Sequence, residues 1–356
     1  MFERILVPLD GTEHAERALQ VAARIAHVTN GTLIVVSSVL PQVAFGTDEV
    51  SRTGELHPTQ NEAGQEYASS YLDEVLQRHA PELEGIKAEK VVAAGVTQPT
   101  ISEEARLQDA DLIVLCSQGE GGLKSRIFGD RATQAVRHSP VPILVLKKQG
   151  VFPPFSLQER LLRVLVPLDG SPLSETALEP TLQLMATLAG STQLALHLLE
   201  VVNIPYPYGN TRAFSNVDKM MEEEEIQKAQ RYLHNEMSRL LAQLPTKLNL
   251  TMTYSVVTGL DVARAIRDEA EPAKEELEAI PYDLIALTTH GWGELRRLLV
   301  GSVTEQLLRT CRLPLFIVRP PKAVREEKQE QSGEVPLVIA GARGQTSPPA
   351  SLSERE

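Results

Sequence analysis

The feature that most constrains the fold is an internal repeat. The segment RILVPLDG at 4–11 recurs as RVLVPLDG at 163–170, an offset of 159 residues. Further along, DLIVLCSQG at 111–119 recurs as DLIALTTHG at 283–291, at an offset of 172. The chain therefore contains one unit twice, and the second copy is 13 residues longer. We predict these residues in the acidic helix around MEEEEIQKAQ and in EPAKEELEAI, before the fourth strand.

Within each copy, short apolar runs alternate with longer helical stretches. The predicted strands are 5–7, 33–39, 88–94, 112–116 and 143–146, then 164–166, 194–202, 250–257, 284–288 and 315–318. The predicted helices include 15–27, about 61–80, 173–189 and about 216–243. Apolar strands that alternate with helices indicate a parallel sheet with helices on both faces. We expect two tandem doubly wound α/β domains, each with a five-stranded parallel sheet of order 3-2-1-4-5.

The domain boundaries follow from the repeat and from shifts in composition. Residues 1–148 form the first predicted domain, and 162–320 form the second. Between them, 149–161 is a predicted linker that carries a pair of prolines. From 321 to 356 the chain is rich in Pro, Glu, Gln, Ser and Gly and lacks periodicity. We predict that this tail is disordered.

Composition and charge exclude several classes of function. With 47 acidic against 35 basic residues the formal net charge is −12, which argues against binding nucleic acid or an anionic membrane surface. The two cysteines belong to no CxxC motif or Cys/His cluster, so we expect no metal site. The opening MFERILVPLD has no signal-peptide pattern, and no apolar run reaches the roughly 18 residues of a membrane span. We therefore expect a cytoplasmic protein.

The predicted topology places a binding site in each copy. In a doubly wound sheet, ligands bind beyond the carboxyl ends of the strands, where the winding reverses. For the order 3-2-1-4-5 this switch point lies between strands 1 and 4. In the first copy it brings together the loops Leu9–Gly11 and Cys116–Gly129. In the second copy the corresponding loops are Leu168–Gly170 and Thr288–Gly301.

The loop after the fourth strand of the second copy has two interpretations. In one, Gly291 permits a close backbone approach, and Gly301 with Ser302 opens a helix over Val303–Thr310 whose N-terminus suits a phosphate. Two arginines between the glycines would then neutralise further charge. In the other, the glycines are turn formers, Ser302 is an N-cap and the arginines are solvated. Residue types alone favour the second interpretation.

The remaining polar residues also leave alternatives open. Asp169 accepts hydrogen bonds from a nucleoside, or it shapes the turn into a helix that Ser171 caps with Pro172 at the first position. His290 is a base, a phosphate donor or an ordinary turn residue. No nucleophile–base pair or spaced pair of carboxylates is present, so no catalytic residue is assigned. The dinucleotide fingerprint G-x-G-x-x-G is absent after the first strand, where PLDGTEH and PLDGSPL stand.

Taken together, these motifs resemble the universal stress protein family in its tandem form. The resemblance rests on VPLDGS at 166–171, THG at 289–291 and LLVGSVTE at 298–305, with VPLDGT at 7–12 in support. It covers nearly everything from 2 to 319. It implies a stress-response regulatory protein that binds ATP or a related nucleotide, with or without Mg²⁺. It implies at most a weak ATPase rather than an efficient enzyme.

The resemblance also implies a set of site residues in the second copy. The ATP-binding members look like G-x2-G-x9-G-(S/T), and this copy has Thr288-x2-Gly291-x9-Gly301-Ser302, with threonine in place of the first glycine. The resemblance places Asp169 and Leu198 at the adenosine and has Leu287 and His290 flank the site. By the same resemblance, the phosphates contact Gly291, Gly301, Ser302, Val303 and Thr304.

The first copy departs further from this pattern. It has Cys116-x2-Gly119-x9-Gly129-Asp130, preceded by Asp10 after its first strand. A carboxylate at a helix N-terminus occupies the place that a phosphate would take and repels it. We expect Asp130 to cap its own helix and the first site to be degenerate. We expect Cys116 to be an inert buried thiol rather than a redox sensor.

The resemblance carries expectations about assembly. A tandem chain is similar to a fused family dimer, in which the fifth strands PVPILVLK and LPLFIVRP pair and cover each other's edges. This pseudo-dimer is compatible with a further homodimer and with unidentified protein partners. Besides the nucleotide-binding regulator, two alternatives stand: a scaffold without a ligand, and a slow hydrolase or nucleotidyl transferase.

Overall fold

The protein is described by a computed structural model that covers most of both copies. The described residues are 2–37, 58–93, 101–117, 126–147, 152, 161–189, 193–203, 216–244, 249–272, 281–289 and 301–320. Side chains are described for these ranges except 58–63, 126–131 and 216–218. The predicted tail and, apart from residues 152 and 161, the predicted linker lie outside them.

Both copies alternate strands with helices in the predicted order. The first copy contains β1 (Arg4–Leu9), α1 (Glu13–Thr29), β2 (Thr32–Ser37), α2 (Pro58–Arg78), β3 (Lys87–Val92), α3 (Ile101–Leu107), β4 (Leu112–Ser117), α4 (Arg126–His138) and β5 (Ile143–Lys147). The second contains β6 (Leu162–Leu168), α5 (Pro172–Glu175), α6 (Leu178–Ala189), β7 (Leu194–Val202), α7 (Asn216–Gln243), β8 (Leu250–Thr258), α8 (Val262–Ala270), β9 (Leu284–Thr288), α9 (Ser302–Thr310) and β10 (Leu315–Val318).

The ten strands form one continuous sheet of order β3-β2-β1-β4-β5-β10-β9-β6-β7-β8. Within each copy the order 3-2-1-4-5 is confirmed, and neighbouring strands are parallel. The two copies meet where β5 and β10 pair antiparallel, with Phe316 opposite Leu144. The predicted pairing of the fifth strands is therefore confirmed. We call this junction the seam.

Apolar residues on both faces of the strands produce two core layers. One layer lies under α1, α2, α6 and α7, and the other lies under α3, α4, α8 and α9. Each layer contains side chains from both copies, so the hydrophobic core is continuous across the seam. Burial of this kind is the main stabilising term in folding. The two copies therefore share one core rather than each enclosing its own.

Basic residues at the ends of the fifth strands cross the seam reciprocally. Lys147, the last residue of β5, donates a hydrogen bond from Nζ to the backbone oxygen of Leu308 in α9. Arg319, just after β10, donates from Nη1 to the backbone oxygen of Ser139, 2.8 Å away and just after α4. Carbonyl groups at a helix C-terminus lack intrahelical partners, and a cation there also complements the helix dipole.

One helix prediction is wrong. The expected helix over 173–189 is divided into α5 and α6, with turn residues Thr176 and Ala177 between them. Pro180 explains the break, because it has no N–H to donate to the oxygen of Thr176 and its ring clashes with that carbonyl. As the third residue of α6, the proline lies in a first turn, where the missing donor costs little.

The pairing register locates the 13 additional residues. Thr32 lies opposite Arg4 and Ala195 lies opposite Arg163, so the offset between the copies is 163 at the second strand. Lys87 lies opposite Thr32 and Thr251 lies opposite Ala195, so the offset is 164 at the third strand. Four residues are therefore added between β6 and β7, one between β7 and β8, and eight between β8 and β9. The eight residues between β8 and β9 agree with an insertion in the region of EPAKEELEAI, most of which lies outside the described residues. The prediction that the acidic helix α7 holds additional residues is wrong, apart from one residue.

Candidate functional site

The switch point of the second copy lies between β6 and β9, because β6 pairs with β7 on one side and with β9 on the other. The turn Asp169–Ser171 follows β6, and Thr289 follows β9. Helix α9 starts at Ser302, directly after Gly301. The topology thus brings together two of the loops that the sequence singles out. Residues 290–300, including His290 and Gly291, lie outside the described part of the chain.

The Asp169 turn is held by its own side chains. Asp169 Oδ1 accepts hydrogen bonds from the Ser171 N–H at 3.0 Å and from the Ser171 hydroxyl at 2.6 Å. Ser171 in turn accepts from the Ser174 N–H at 3.1 Å and caps α5, with Pro172 at the first helical position. Gly170 has φ 75°, which glycine adopts without strain. Asp169 therefore shapes the turn into α5, and its contact with a nucleoside stays a prediction.

Helix α9 begins without a side-chain cap. Gly301 occupies the N-cap position with φ −65° and ψ 150°, and within the described part of the chain no side-chain hydrogen bond caps the helix. The interpretation of Ser302 as an N-cap is wrong, because Ser302 is the first helical residue and is exposed. The helical ladder starts when the Glu305 N–H donates to Gly301 O at 3.0 Å. The N–H groups of the preceding positions have no intrahelical acceptor and suit an anion.

Two threonines fix the start of α9 against the end of β9. Thr304 Oγ1 donates to the backbone oxygen of Thr288 at 2.9 Å, and the Gly301 N–H donates to Thr289 O at 2.6 Å. Both Thr288 and Thr304 are buried. The single hydroxyl proton of Thr304 is used in this contact, so its backbone N–H is the donor that remains for a ligand. The helix N-terminus is therefore held rigidly beside the strand edge.

Two of the predicted contact residues lie in the core instead. Leu198 has no exposed surface and pairs with Val166, two positions inside the edge of β6. Leu287 is 4% exposed and belongs to the core layer beneath α8 and α9. Neither side chain presents surface to a ligand, so contact of Leu198 with the adenosine, or of Leu287 with the site that it is predicted to flank, would use backbone atoms, and both stay predictions. The alternating orientation of strand residues decides this, and the apolar run in the sequence does not reveal it.

Glu200 is the polar residue at this edge that the sequence argument missed. It lies opposite Leu168, the last residue of β6, and therefore next to the Asp169 turn. Burial raises the pKa of the Glu200 carboxyl to about 7, and the nearby negative charge of Asp169 adds to the shift. The available signal was a single carboxylate interrupting the apolar strand LALHLLEVV.

The first copy has a different local structure at its switch point. Gly129 and Asp130 lie inside α4, which begins four residues earlier at Arg126. The prediction that Asp130 is the N-cap is therefore wrong, because the helix extends further toward its N-terminus than the motif suggests. His14 Nε2 lies 3.3 Å from the backbone oxygen of Ser117, at the carboxyl end of β4. Gly119 lies outside the described residues.

The turn after the first strand is nevertheless the same in both copies. Asp10 Oδ1 accepts from the Thr12 N–H at 3.0 Å and from the Thr12 hydroxyl at 2.6 Å, as Asp169 does with Ser171. Thr12 caps α1 by accepting from the Ala15 N–H. This turn therefore belongs to the shared fold. One difference between the copies lies at the start of the helix after the fourth strand.

Both cysteine thiols are held in their protonated form. Burial raises the pKa of the Cys116 thiol to about 12, well above its ordinary value. Burial also raises the pKa of Cys311, whose Sγ–H donates to Glu271 Oε1 at 3.0 Å. A thiol reacts as its thiolate, so both groups are poor nucleophiles at neutral pH. The raised pKa agrees with an inert Cys116, although this residue is half-buried rather than buried.

We expect the folded protein to react with Ellman's reagent at pH 7.5 at least about tenfold more slowly than the unfolded chain, because raised pKa values suppress the thiolate. Absorbance at 412 nm with and without guanidinium chloride measures this. The unfolded chain should release two equivalents, one for each cysteine. Rapid reaction of one equivalent in the folded protein would contradict the expectation, and Cys116→Ser identifies the reactive thiol.

Two further features concern only the part of the chain that the structure describes. No group of three or more His, Cys, Asp or Glu side chains there is arranged to hold a metal ion. None of the described helices combines the length and the apolar character needed to cross a bilayer.

Comparison with known proteins identifies the family. The sequence model of the universal stress protein family matches residues 1–147 and 161–319, so the chain belongs to this family, with two such regions in tandem. It is 26% identical over 332 residues to a universal stress protein of Mycolicibacterium smegmatis, covering 89% of this chain and 97% of that relative. A universal stress protein of Mycobacterium tuberculosis is 26% identical over 319 residues, covering 88% and 96%.

Solved structures support the fold at lower identity. A universal stress protein from Archaeoglobus fulgidus matches with a TM-score of 0.54 and 19% identity, covering 90% of this chain and 99% of that one. A functionally unknown protein from Pseudomonas aeruginosa PAO1 matches with a TM-score of 0.56 and 16% identity, covering 94% and 98%. At these identities the likeness shows the fold alone and says nothing about a ligand.

Proposed function

We propose that the second repeat binds ATP or a related nucleotide and that the protein acts as a stress-response regulator rather than as an efficient enzyme. The observation that carries this proposal is the start of α9. Its N-terminal N–H groups lack a side-chain cap, and hydrogen bonds to β9 hold them at the topological switch point. A phosphate group is the ligand that such a helix terminus favours.

The proposed arrangement assigns the phosphates to the backbone from Gly301 to Thr304, with the exposed Ser302 hydroxyl as an additional donor. The adenosine then lies over the carboxyl ends of β6 and β7, beside the Asp169 turn. Mg²⁺ bound with the nucleotide would be held largely by phosphate oxygens and water, as is usual for this ion. His290 and Gly291 remain predicted contacts in the same loop.

We further propose that turnover is slow or absent. Hydroxyls and backbone N–H groups from Gly301 to Thr304 bind phosphate, but they do not activate a water molecule. The first repeat is proposed to be degenerate, because Gly129 and Asp130 lie within α4 rather than at its start. The protein would then transmit the state of one nucleotide site through a pseudo-dimer joined at the seam, to partners whose identity is open.

Isothermal titration with ATP tests the proposal. We expect about one site per chain, and we expect Gly301→Asp to weaken binding at least about a hundredfold. An aspartate at this N-cap accepts the free N–H groups and also repels phosphate. The N-cap backbone has a negative φ, so the residue is tolerated and should stabilise α9. Gly301→Ala is the matched control, since it adds a Cβ without an acceptor or a charge.

The outcomes separate the alternatives. No heat and no thermal shift with millimolar ATP would overturn the proposal in favour of a ligand-free scaffold. Two equal sites would overturn the degenerate first repeat. A phosphate-release assay that shows rapid turnover, lost in His290→Ala, would instead establish an enzyme.

A further inference from the structure

We propose that the Glu200 carboxylate binds the ribose hydroxyls of the nucleotide, so that the second repeat selects ribonucleotides over deoxyribonucleotides. This inference rests on the proposed nucleotide site and adds a determinant of specificity to it. It is argued from the position of Glu200 in the sheet, from its unsatisfied oxygen and from the chemistry of a vicinal diol.

The register places Glu200 at the edge where the nucleotide would lie. It is paired with Leu168, the last residue of β6, and with Val256 of β8, and the Asp169 turn begins directly after Leu168. Its strand is separated from β9 by β6 alone. Adjacent strands are about 4.8 Å apart, so roughly 10 Å separates β7 from the strand that precedes the phosphate-binding helix. A triphosphate chain spans such a distance.

Among the described residues, one oxygen of the Glu200 carboxylate has no hydrogen-bond partner. Glu200 Oε2 is buried, and no hydrogen-bond donor contacts it among the described residues. Lys228 of α7 pairs with Glu225 at 3.6 Å. An unsatisfied buried acceptor is costly, and a ligand that supplies donors would remove this cost. The position is therefore one that a bound molecule can complete.

The chemistry of the acceptor selects the part of the nucleotide. An ionised carboxylate offers only acceptors, and the two hydroxyls of a ribose offer two donors side by side. The edges of adenine mix donors with acceptors and match a carboxylate less well. In doubly wound dinucleotide-binding domains, an acidic residue that follows the phosphate-binding turn hydrogen-bonds the ribose hydroxyl. Glu200 supplies the same chemistry at the end of the second strand of its repeat.

The first repeat provides a natural contrast. Its equivalent position, paired with the last residue of β1, is Ser37, which is fully buried. A serine is too short to reach a sugar beyond the strand edge. The substitution Glu200→Ser therefore converts the second repeat to the first at this one position, and Glu200→Gln keeps the length while removing the carboxylate.

Competition titrations with ATP, 2′-deoxyATP and 3′-deoxyATP at pH 8 test the inference. This pH lies above the pKa of about 7 that burial gives the Glu200 carboxyl, so the carboxylate is ionised. We expect the wild type to bind ATP roughly 10- to 100-fold more tightly than either deoxynucleotide, the range for a hydrogen bond to a charged group. Glu200→Gln and Glu200→Ser should reduce this ratio to within about threefold. Glu224→Gln, which removes an exposed charge on the same helix, should preserve it.

Each outcome decides the matter. Equal binding of ATP and both deoxynucleotides by the wild type would overturn the role of Glu200 and leave the nucleotide site intact. An unchanged ratio in Glu200→Gln would do the same. No binding of any nucleotide by the wild type would overturn the proposed function, and the inference with it. If circular dichroism shows that Glu200→Ser is unfolded, the Gln variant alone gives the answer.

Discussion

The variant Phe316→Ala is expected to lose about 3–5 kcal/mol of the free energy of unfolding, the usual range for a buried phenylalanine. Phe316 has no exposed surface and lies on β10 opposite Leu144 of β5. Its ring meets that of Phe2 at a centroid distance of 6.3 Å and an angle of 81°, an edge-to-face contact between the two copies. Removing the ring opens a cavity at the junction that both copies share.

Urea denaturation followed by circular dichroism measures this loss. Met220→Ala is the matched control, because Met220 is 68% exposed on α7 and its truncation should change stability by less than about 0.5 kcal/mol. Because the core is continuous across the seam, we also expect one unfolding transition rather than two. A loss below about 1 kcal/mol for Phe316→Ala would show that the seam contributes little to the stability of the copies.

The second large effect concerns Lys147 and pH. Lys147 is almost fully buried at the seam, with its Nζ donating to the Leu308 backbone oxygen. Burial lowers the pKa of this ammonium to about 8, although the charge of Glu271 opposes the shift. The unfolded chain returns the group to its ordinary pKa near 10.5. Between pH 8 and 10.5 the unfolded state therefore binds more protons than the folded state, and stability from this group rises with pH.

Comparison of the wild type with Lys147→Met isolates this contribution, because methionine keeps the apolar stem and does not titrate. We expect the wild type to gain about 2 kcal/mol relative to the variant as the pH rises from 8 to 10. The free energy of unfolding of both proteins, measured in urea at several pH values, gives the difference. A constant difference over this range would contradict the lowered pKa. Arg319→Met is the control for the loss of a cation at the seam, because arginine does not titrate between pH 8 and 10.

Much of the fold follows from local patterns. The predicted bounds of α7, β9 and β10 agree with the structure. Apolar or amphipathic stretches with clear ends leave few alternative assignments of secondary structure. The helix predicted over 173–189 failed at a single proline, whose effect depends on whether it falls in the interior or the first turn of a helix. The additional residues of the second copy are predicted in α7 and in EPAKEELEAI, whereas strand pairing places only one of them between β7 and β8.

The candidate site was less predictable than the fold. The start of α9 at Ser302 follows from the Gly-Ser pair, but the same kind of spacing failed at Asp130, which lies inside α4. The family resemblance places Leu198 at the adenosine, yet its side chain lies in the core, and the residue at the strand edge is Glu200. The sequence predicts which segments form strands. Which residue reaches the edge depends on register with the neighbouring strand.

By itself the sequence determined that this protein contains two copies of a doubly wound α/β unit, because a duplicated pattern of apolar strands and helices admits few other folds. It also indicated the switch points and the pairing of the fifth strands. The tertiary structure alone decided how far α4 extends, which side chains face the core, and where basic residues cross the seam. These properties depend on contacts between residues more than a hundred positions apart, such as Lys147 with Leu308, and local sequence patterns do not encode such contacts.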